Sequence, residues 1–330
     1  MQNLINKIHH ADCLEFMKQL PDKCIDLVLT DPPYFRVMTN EWDRQWPDIH
    51  AFQKWVGEIG EELQRVMKEN GALYWFGDDK TIAYCQVMLD CRFSLINSLV
   101  WRKLDPVSQK TKGRLRSYAI CTERCLFYEK QQNTSNYLKS IKEYMRCERE
   151  KIKAAKGFKT EKEFCEYVNK LTDSSSVVSR HYFSDSQYVF PTQEMYSRLQ
   201  KSGFFRREYE DLRREYEDLR RVWNPHSGAD EVLEYAHCQP PIYHPTQKPV
   251  PLISYLMERA SNVGALVLDP FSGSGTTAIA AHTLGRRFIC IERDSQYHAA
   301  SVERLKEHQK QMLLPLFLPK FTWKEGRSDE

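Results

Sequence analysis

Asp31-Pro32-Pro33-Tyr34 sets a carboxylate and a proline carbonyl next to each other on a turn stiffened by two prolines, with an aromatic ring immediately after. Two fixed acceptors of this kind can each take one hydrogen of an exocyclic amine whose lone pair is delocalised into a ring. Doing so draws the nitrogen toward tetrahedral geometry and turns a poor nucleophile into a usable one, at low entropic cost because the acceptors are already in place. Tyr34 adds a face on which a base rotated out of its stack can rest. Asp-Pro-Pro alone is often only a polar turn, but here it follows the apolar run 25–30 and precedes an aromatic. Asp31, Pro32 and Tyr34 are therefore the candidate catalytic residues.

A second constellation stands near the other end of the chain. Asp269-Pro270-Phe271-Ser272-Gly273-Ser274-Gly275-Thr276-Thr277 follows an apolar strand-like run, and Glu292 lies some twenty positions on. A Gly-x-Gly-x-x-Ala loop with that acid also fits a dinucleotide site, where a helix N-terminus receives a pyrophosphate. Asp269 at the loop mouth would repel a pyrophosphate and suits a cationic ligand instead. S-adenosyl-L-methionine (SAM) carries an ammonium and a sulfonium. Its carboxylate can use the amides and hydroxyls of Gly275, Thr276 and Thr277 at the helix start, and Glu292 can hold the ribose hydroxyls.

These residues need a scaffold that brings distant strand ends together. Apolar runs at 4–9, 25–30, 72–76, 95–101 and 120–128 alternate with amphipathic stretches, the pattern of a parallel sheet with crossover helices, and further runs follow at 265–269 and 287–291. Ligands collect beyond the carboxyl ends of such strands, so Asp12, Asp31 and Asp78 can face one crevice. After Lys130 charged helical residues dominate through about Val222, and strand-like runs are nearly absent until 265, which reads as a helical insertion in a split sheet domain. Inside it, the heptad 206–212 repeats at once at 213–219, placing Tyr209, Leu212, Tyr216 and Leu219 on one helical face. A coiled-coil homodimer contact is one reading of that face. A strut packed on its own domain is the better-founded one, since two heptads are short for a coiled coil. The apolar stretch 313–318 is expected to dock on the main domain, with fraying beyond Lys324.

The order of the two constellations, catalytic first and glycine loop second, resembles the β class of amino DNA methyltransferases over residues 4–130 and 243–305. The resemblance implies a class I SAM-methyltransferase sheet, Rossmann-like and permuted in motif order, with the insertion as target-recognition part. The implied divisions are 1–130 and 223–316 for the catalytic domain, 131–222 for the insertion and 317–330 for a tail. His9-His10-Ala11-Asp12-Cys13 is similar to the family segment that meets the adenine of SAM, which puts Asp12 and Cys13 among the cofactor residues, although Ala11 stands where the family usually has glycine. His244-Pro245-Thr246-Gln247-Lys248-Pro249 resembles the segment leading the helix before the SAM strand, making Thr246 and Lys248 candidates for the methionine carboxylate. Asp-Pro-Pro-Tyr is the commoner form in adenine enzymes, so the implied activity is site-specific N6-adenine methylation of duplex DNA by base flipping and in-line attack, with cytosine-N4 methylation as the alternative. No Pro-Cys dipeptide occurs, which removes the thiolate nucleophile of a cytosine-C5 enzyme. A DNA-binding regulator with a vestigial SAM fold is disfavoured by the intact acids Asp12, Asp31, Asp269 and Glu292. Whether a restriction endonuclease accompanies the chain is left open by the sequence.

For DNA, Lys103, Lys110, Lys112, Arg114 and Arg116 face one Asp105 in a stretch beside the active-site edge and are candidate phosphate contacts. Thr160-Glu161-Lys162-Glu163 is a capping box, Asp173-Ser174-Ser175-Ser176 reads as the cap of a following helix, and the run 149–192 resembles repressor-type helix-turn-helix domains. On that reading Ser179, Arg180 and His181 reach base edges; a helical lid that braces DNA is the equal alternative. The net charge of +3 is too small to argue nucleic-acid binding from composition, so basic surface must be local. Ten scattered cysteines without a Cys-x-x-Cys pair, histidines without ligand spacing, and a start lacking the layout of a signal peptide lead to the expectation of a metal-free cytoplasmic protein with no membrane span.

Overall fold

The computed structural model describes residues 1–104, 120–130, 138–173, 181–184, 188–224, 230–238 and 240–317, with side chains through 312. The chain forms two compact units, one from Met1–Lys130 with Val222–Glu330 and one from Gln131–Arg221.

The first unit is built on an eight-stranded sheet in the order β1-β8-β7-β2-β3-β5-β4-β6, from Lys7–His10 (β1), Ile25–Thr30 (β2), Met67–Gly77 (β3), Phe93–Lys103 (β4), Thr122–Lys130 (β5), Val232–Tyr235 (β6), Leu266–Asp269 (β7) and Arg287–Glu292 (β8). From β1 to β3 neighbours are parallel, β5 runs antiparallel to both β3 and β4, and β6 is parallel to β4. β7 leads on toward β8 and β2 leads on toward β3, so the connections diverge where β7 and β2 lie side by side. A parallel sheet opens a crevice at such a switch point, beyond the carboxyl ends of the strands.

Alternation along each strand feeds two cores. Val28, Leu73, Trp75 and Leu268 face a layer containing Phe52, Val56, Ile59 and Leu63 of the Ile49–Val66 helix. Leu27, Leu29, Tyr74, Phe76 and Val267 face Leu252, Leu256 and Met257 of the Val250–Ala260 helix and Ala278 and Ala280 of the Thr276–Thr283 helix. Phe52, Val56, Ile59 and Leu63 fall at helical spacing and are fully buried, each worth about 1.5–3 kcal/mol of transfer free energy. Asp48 starts their helix by accepting from the Ala51 amide at 2.8 Å. Asp26, an acid inside an otherwise apolar strand, joins three strands: it accepts from the Leu266 amide at 2.8 Å and pairs with Lys68 at 2.6 Å.

The structure departs from the sequence expectation at several elements. β1 starts at Lys7, because Gln2–Leu4 form a turn of 3-10 helix. β3 reaches back to Met67 through a polar stretch with a register irregularity after Ile25. β6 was not expected. It is an edge strand of four residues with one buried side chain, too short and too exposed to show as an apolar run.

In the second unit, the Lys139–Lys156, Glu161–Thr172, Gln193–Gln200 and Tyr209–Leu219 helices surround a core of Ile141, Met145, Ile152, Phe164, Val168, Tyr196, Leu199 and Leu212. The Thr160 capping box is present in both its bonds. Tyr209, Tyr216 and Leu219 of the repeated heptad pack on this core beside buried Leu212, so the apolar face is used inside the unit rather than held out for a partner. Arg149 to Lys151 lie in the first of these helices, and Asp173 ends the second with a left-handed φ of 52°, while Ser174 to Ser176 of the expected cap lie outside the described residues. The Ser295–Phe317 helix carries residues 313–317, whose side chains lie outside the description. Among the described residues no helix is long and apolar enough to cross a membrane.

Candidate active site

A cleft of about 650 Å³ opens at the switch point, lined by the ends of β1, β2, β7 and β8. Asp12, Cys13, Asp31, Pro32, Tyr34, Thr246, Phe271, Gly273 and Glu292 all contribute to its wall. A cavity of about 40 Å³ adjoins it, and Lys248, Asp269, Thr276 and Thr277 line that one. Two segments more than two hundred residues apart in the chain thus form one site. The larger volume is within the range of small-molecule and cofactor clefts.

Each wall residue is held by its own local structure. Asp12 caps the short Cys13–Met17 helix, its Oδ1 accepting from the Leu14 and Glu15 amides at 2.9 and 3.3 Å, which leaves Oδ2 for the cleft. Cys13 is buried, and desolvation pushes its thiol up to about 12, so it is neutral packing rather than a thiolate. Gly273 and Gly275 have left-handed φ of 48° and 77°, and a Cβ on Gly275 would stand 3.1 Å from the Ser301 Cβ and 3.2 Å from the Ile8 Cδ1. Glu292 Oε2 accepts from the Gly273 amide and Oε1 from the Asp294 amide, each at 2.8 Å, which fixes the carboxylate at the cleft edge with lone pairs to spare.

Asp269 lies deeper than the sequence suggested. It is 4% exposed, accepts from Thr30 Oγ1 at 2.8 Å, Thr277 Oγ1 at 2.6 Å and the Phe271 amide at 3.1 Å, and does not reach the wall of the larger cleft. Burial pushes its carboxyl up to about 6 against those three hydrogen bonds. Thr277 spends its hydroxyl on Asp269, and Thr276 donates its own to the Lys248 carbonyl at 3.2 Å, so both hydroxyls serve the loop.

Around Asp31 the structure adds charges that the sequence did not point to. Tyr34 donates its hydroxyl to Asp31 Oδ1, and Lys248 Nζ donates to Asp31 Oδ2 at 2.5 Å. The same ammonium lies 3.2 Å from Glu123 Oε2, and Glu123 Oε1 is 2.6 Å from Lys103 Nζ. Two expectations change. Lys248 is 5% exposed and engaged with carboxylates of its own chain, not presented to a ligand carboxylate, and Lys103 is paired with Glu123 rather than free for phosphate. Burial raises the Asp31 carboxyl and Glu123 raises it further, with Lys248 opposing both. Burial also acts upward on Glu123, but Lys248 and Lys103 outweigh it and bring that carboxyl down to about 2.

Other groups shape the wall. Asp43, fully buried, accepts from the Tyr34 amide at 2.7 Å and the Met38 amide at 2.6 Å, fixing the segment after the catalytic turn, where Phe35 and Arg36 both have left-handed φ. His244 packs its ring 3.4 Å from the Cβ position of Gly273 and 4.3 Å from the Tyr297 ring; desolvation and Lys248 push its pKa down to about 4, so it is neutral near pH 7. Of the expected DNA contacts, His181 is half-buried with its carbonyl accepting from the Val189 amide at 2.9 Å, whereas Lys110, Lys112, Arg114, Arg116, Ser179 and Arg180 lie outside the described residues.

Comparison with known proteins agrees with this geometry. A DNA methylase family model of the N6/N4 type matches residues 25–303. The type II methyltransferase M1.MboII of Moraxella bovis is 26% identical over 300 residues, covering 89% of this chain and 94% of that protein. The crystal structure of the M1.HpyAVI-SAM complex superposes with a TM-score of 0.52 at 19% identity, covering 91% of this chain and 98% of that one. The cytosine-N4-specific PvuII DNA methyltransferase does so with a TM-score of 0.51 at 13% identity, covering 93% and 92%. At those identities the two structures speak for the fold alone.

Proposed function

The chain belongs to the N6/N4 DNA methylase family, and from that membership we propose that it transfers the methyl group of SAM to the exocyclic N6 of adenine in duplex DNA. The observation that carries the proposal is the single cleft whose wall holds Asp31 and Pro32 together with Phe271, Gly273 and Glu292. Its donor set suits SAM: Asp12 and Glu292 offer carboxylate oxygens to an adenine amine and ribose hydroxyls, and the Thr276–Thr283 helix starts beneath the glycine loop. When bound, SAM supplies an electrophilic methyl on a sulfonium.

The chain's own residues then act on the amine. Asp31 and the Pro32 carbonyl accept its hydrogens and localise the lone pair, and the negative charge of Asp31 stabilises the positive charge that develops on nitrogen. The Tyr34 ring, 9% exposed and locked through its hydroxyl to Asp31, gives the flipped base a rigid edge. Asp43 keeps that turn from relaxing. The aspartate that opens the tetrapeptide favours adenine over cytosine by family analogy.

The test is to express the protein in cells free of DNA methylation and map modified bases in their genome. N6-methyladenine at one recurrent sequence is expected. N4-methylcytosine would replace the adenine assignment, and unmodified DNA together with no SAM binding would remove the reading altogether.

A further inference from the structure

We propose that Lys248 is the counter-ion that keeps Asp31 a charged acceptor, and that Glu123, backed by Lys103, is the residue that holds Lys248 there. Both are positioning residues in this account, acting on the amine only through Asp31. The inference rests on the methyltransferase reading of the cleft.

The geometry starts from the hydrogens of one ammonium group. Lys248 Nζ has Asp31 Oδ2 at 2.5 Å, Tyr34 OH at 3.1 Å, Glu123 Oε2 at 3.2 Å and the Thr246 carbonyl at 3.4 Å. Three donors therefore meet four acceptors of the same chain, and none is left over for a ligand. The side chain is 5% exposed, and the ring centroids of Tyr34 and Phe76 lie 5.5 and 5.3 Å from Nζ, so two aromatic faces add to its hold on the ammonium. Two carboxylates of opposite origin clamp it: Asp31 follows β2, while Glu123 opens β5, which runs the other way.

Without that ammonium Asp31 would be in a poor place for a charge. It is half-buried, its side chain 17% exposed, with Glu123 and Cys125 facing it from β5, Asp269 from the end of β7, and Tyr34 from its own turn. Lys103 is spent on Glu123. The groups that remain either repel a negative charge or leave it uncompensated, and a carboxyl that takes up a proton there donates a hydrogen bond where the chemistry needs an acceptor. Lys248 removes that outcome. Glu123 supplies the second charge that keeps Lys248 from being a lone buried cation pulled wholly onto Asp31.

The experiment is single-turnover methylation across pH at saturating SAM and DNA, for the native protein, Lys248→Met, Glu123→Gln and the double variant, with SAM affinity measured by calorimetry. The sign is fixed by charge. Lys248→Met removes the cation, so the acidic limb of the rate profile moves to higher pH by about one unit or more, and activity returns as pH rises. Glu123→Gln removes a repelling anion at constant shape, so the limb moves to lower pH. The double variant falls between the two. A residue that merely supports the fold lowers the plateau without moving the limbs apart. Limbs coincident with the native one overturn the inference, as does a tenfold loss of SAM affinity in Lys248→Met with an unmoved limb, which would assign the lysine to the cofactor. If Lys248→Met fails to fold, Lys248→Arg, which keeps the charge, is compared with Lys248→Gln, which removes it, and coincident limbs for those two overturn the inference. Failure of the native protein to methylate DNA counts against the parent reading; an active native protein with unmoved limbs counts against this inference alone.

Discussion

Replacing Asp31 by alanine removes one of the two acceptors aimed at the substrate amine. Losing a single preorganised partner of a developing charge typically costs about 2.7–4 kcal/mol, a factor of about 10²–10³ in rate. An ionised carboxylate about 3 Å from a nitrogen that becomes positive gives an upper figure of about 5–6 kcal/mol at an effective dielectric constant near 20. The expected loss is therefore about 10²–10⁴ in the methyl-transfer step. The fold should survive, because Lys248 keeps Glu123 at 3.2 Å and the Thr246 carbonyl at 3.4 Å, so no buried charge is left without a partner. SAM affinity should change little, since the glycine loop is held by Asp269 and Glu292 hydrogen bonds that Asp31 does not share. Single-turnover transfer of labelled methyl at saturating SAM, paired with calorimetric SAM binding, separates the two effects. Transfer within tenfold of the native rate by a folded Asp31→Ala protein would refute the acceptor role.

Glu292→Ala removes the charged acceptor of the Gly273 and Asp294 amides at the cleft edge, and at about 1.5–3 kcal/mol for a charged hydrogen bond SAM affinity should fall roughly 10- to 100-fold; unchanged affinity by calorimetry, or tight binding of NAD, would favour a dinucleotide site. Gly275→Ala forces a left-handed φ on a residue whose Cβ meets Ser301 and Ile8, so a loss of at least about 1–2 kcal/mol in stability is expected from urea unfolding, and a neutral result would contradict the conformation of the loop. Asp269 has a folded pKa of about 6, above its ordinary value of 3.8, so the native state holds the extra proton between those values and stability should fall as pH rises from about 4 to about 6, then level off. Asp269→Asn should flatten that slope. Parallel slopes for both proteins in unfolding at pH 4.5 and 6.5 would show that the carboxylate is not the source.

Much of the sheet was legible because its inner strands are buried on both faces and read as unbroken apolar runs, as in Ile25–Thr30 and the 72–76 part of β3. The catalytic turn and the glycine loop stood out for the same physical reason that makes them work: prolines and glycines at strand ends are costly choices unless backbone geometry requires them. β6 escaped because an edge strand of four residues buries one side chain and carries no periodic signal. Lys248 was visible as a residue but not as a partner of Asp31, since an ion pair between positions 31 and 248 depends on which strands are neighbours and not on local spacing. From the sequence Asp269 stands at the loop mouth, open to a cationic ligand; three hydrogen bonds from its own chain make its burial tolerable, and none of them can be read before the fold is known.

Because β5 runs against β3, its first residues lie at the same edge of the sheet as the last residues of β2 and β3: Gly77 is level with Arg124, one position from Glu123. β4 ends at that edge with Lys103, level with the approach to β5. The two roots of this hairpin are thus bolted to the sheet and to each other by the 2.6 Å Lys103–Glu123 pair. Glu123 also stands 3.2 Å from the Lys248 ammonium, so a change at either root of this hairpin reaches the Lys248–Asp31 pair as well as the strand pairing.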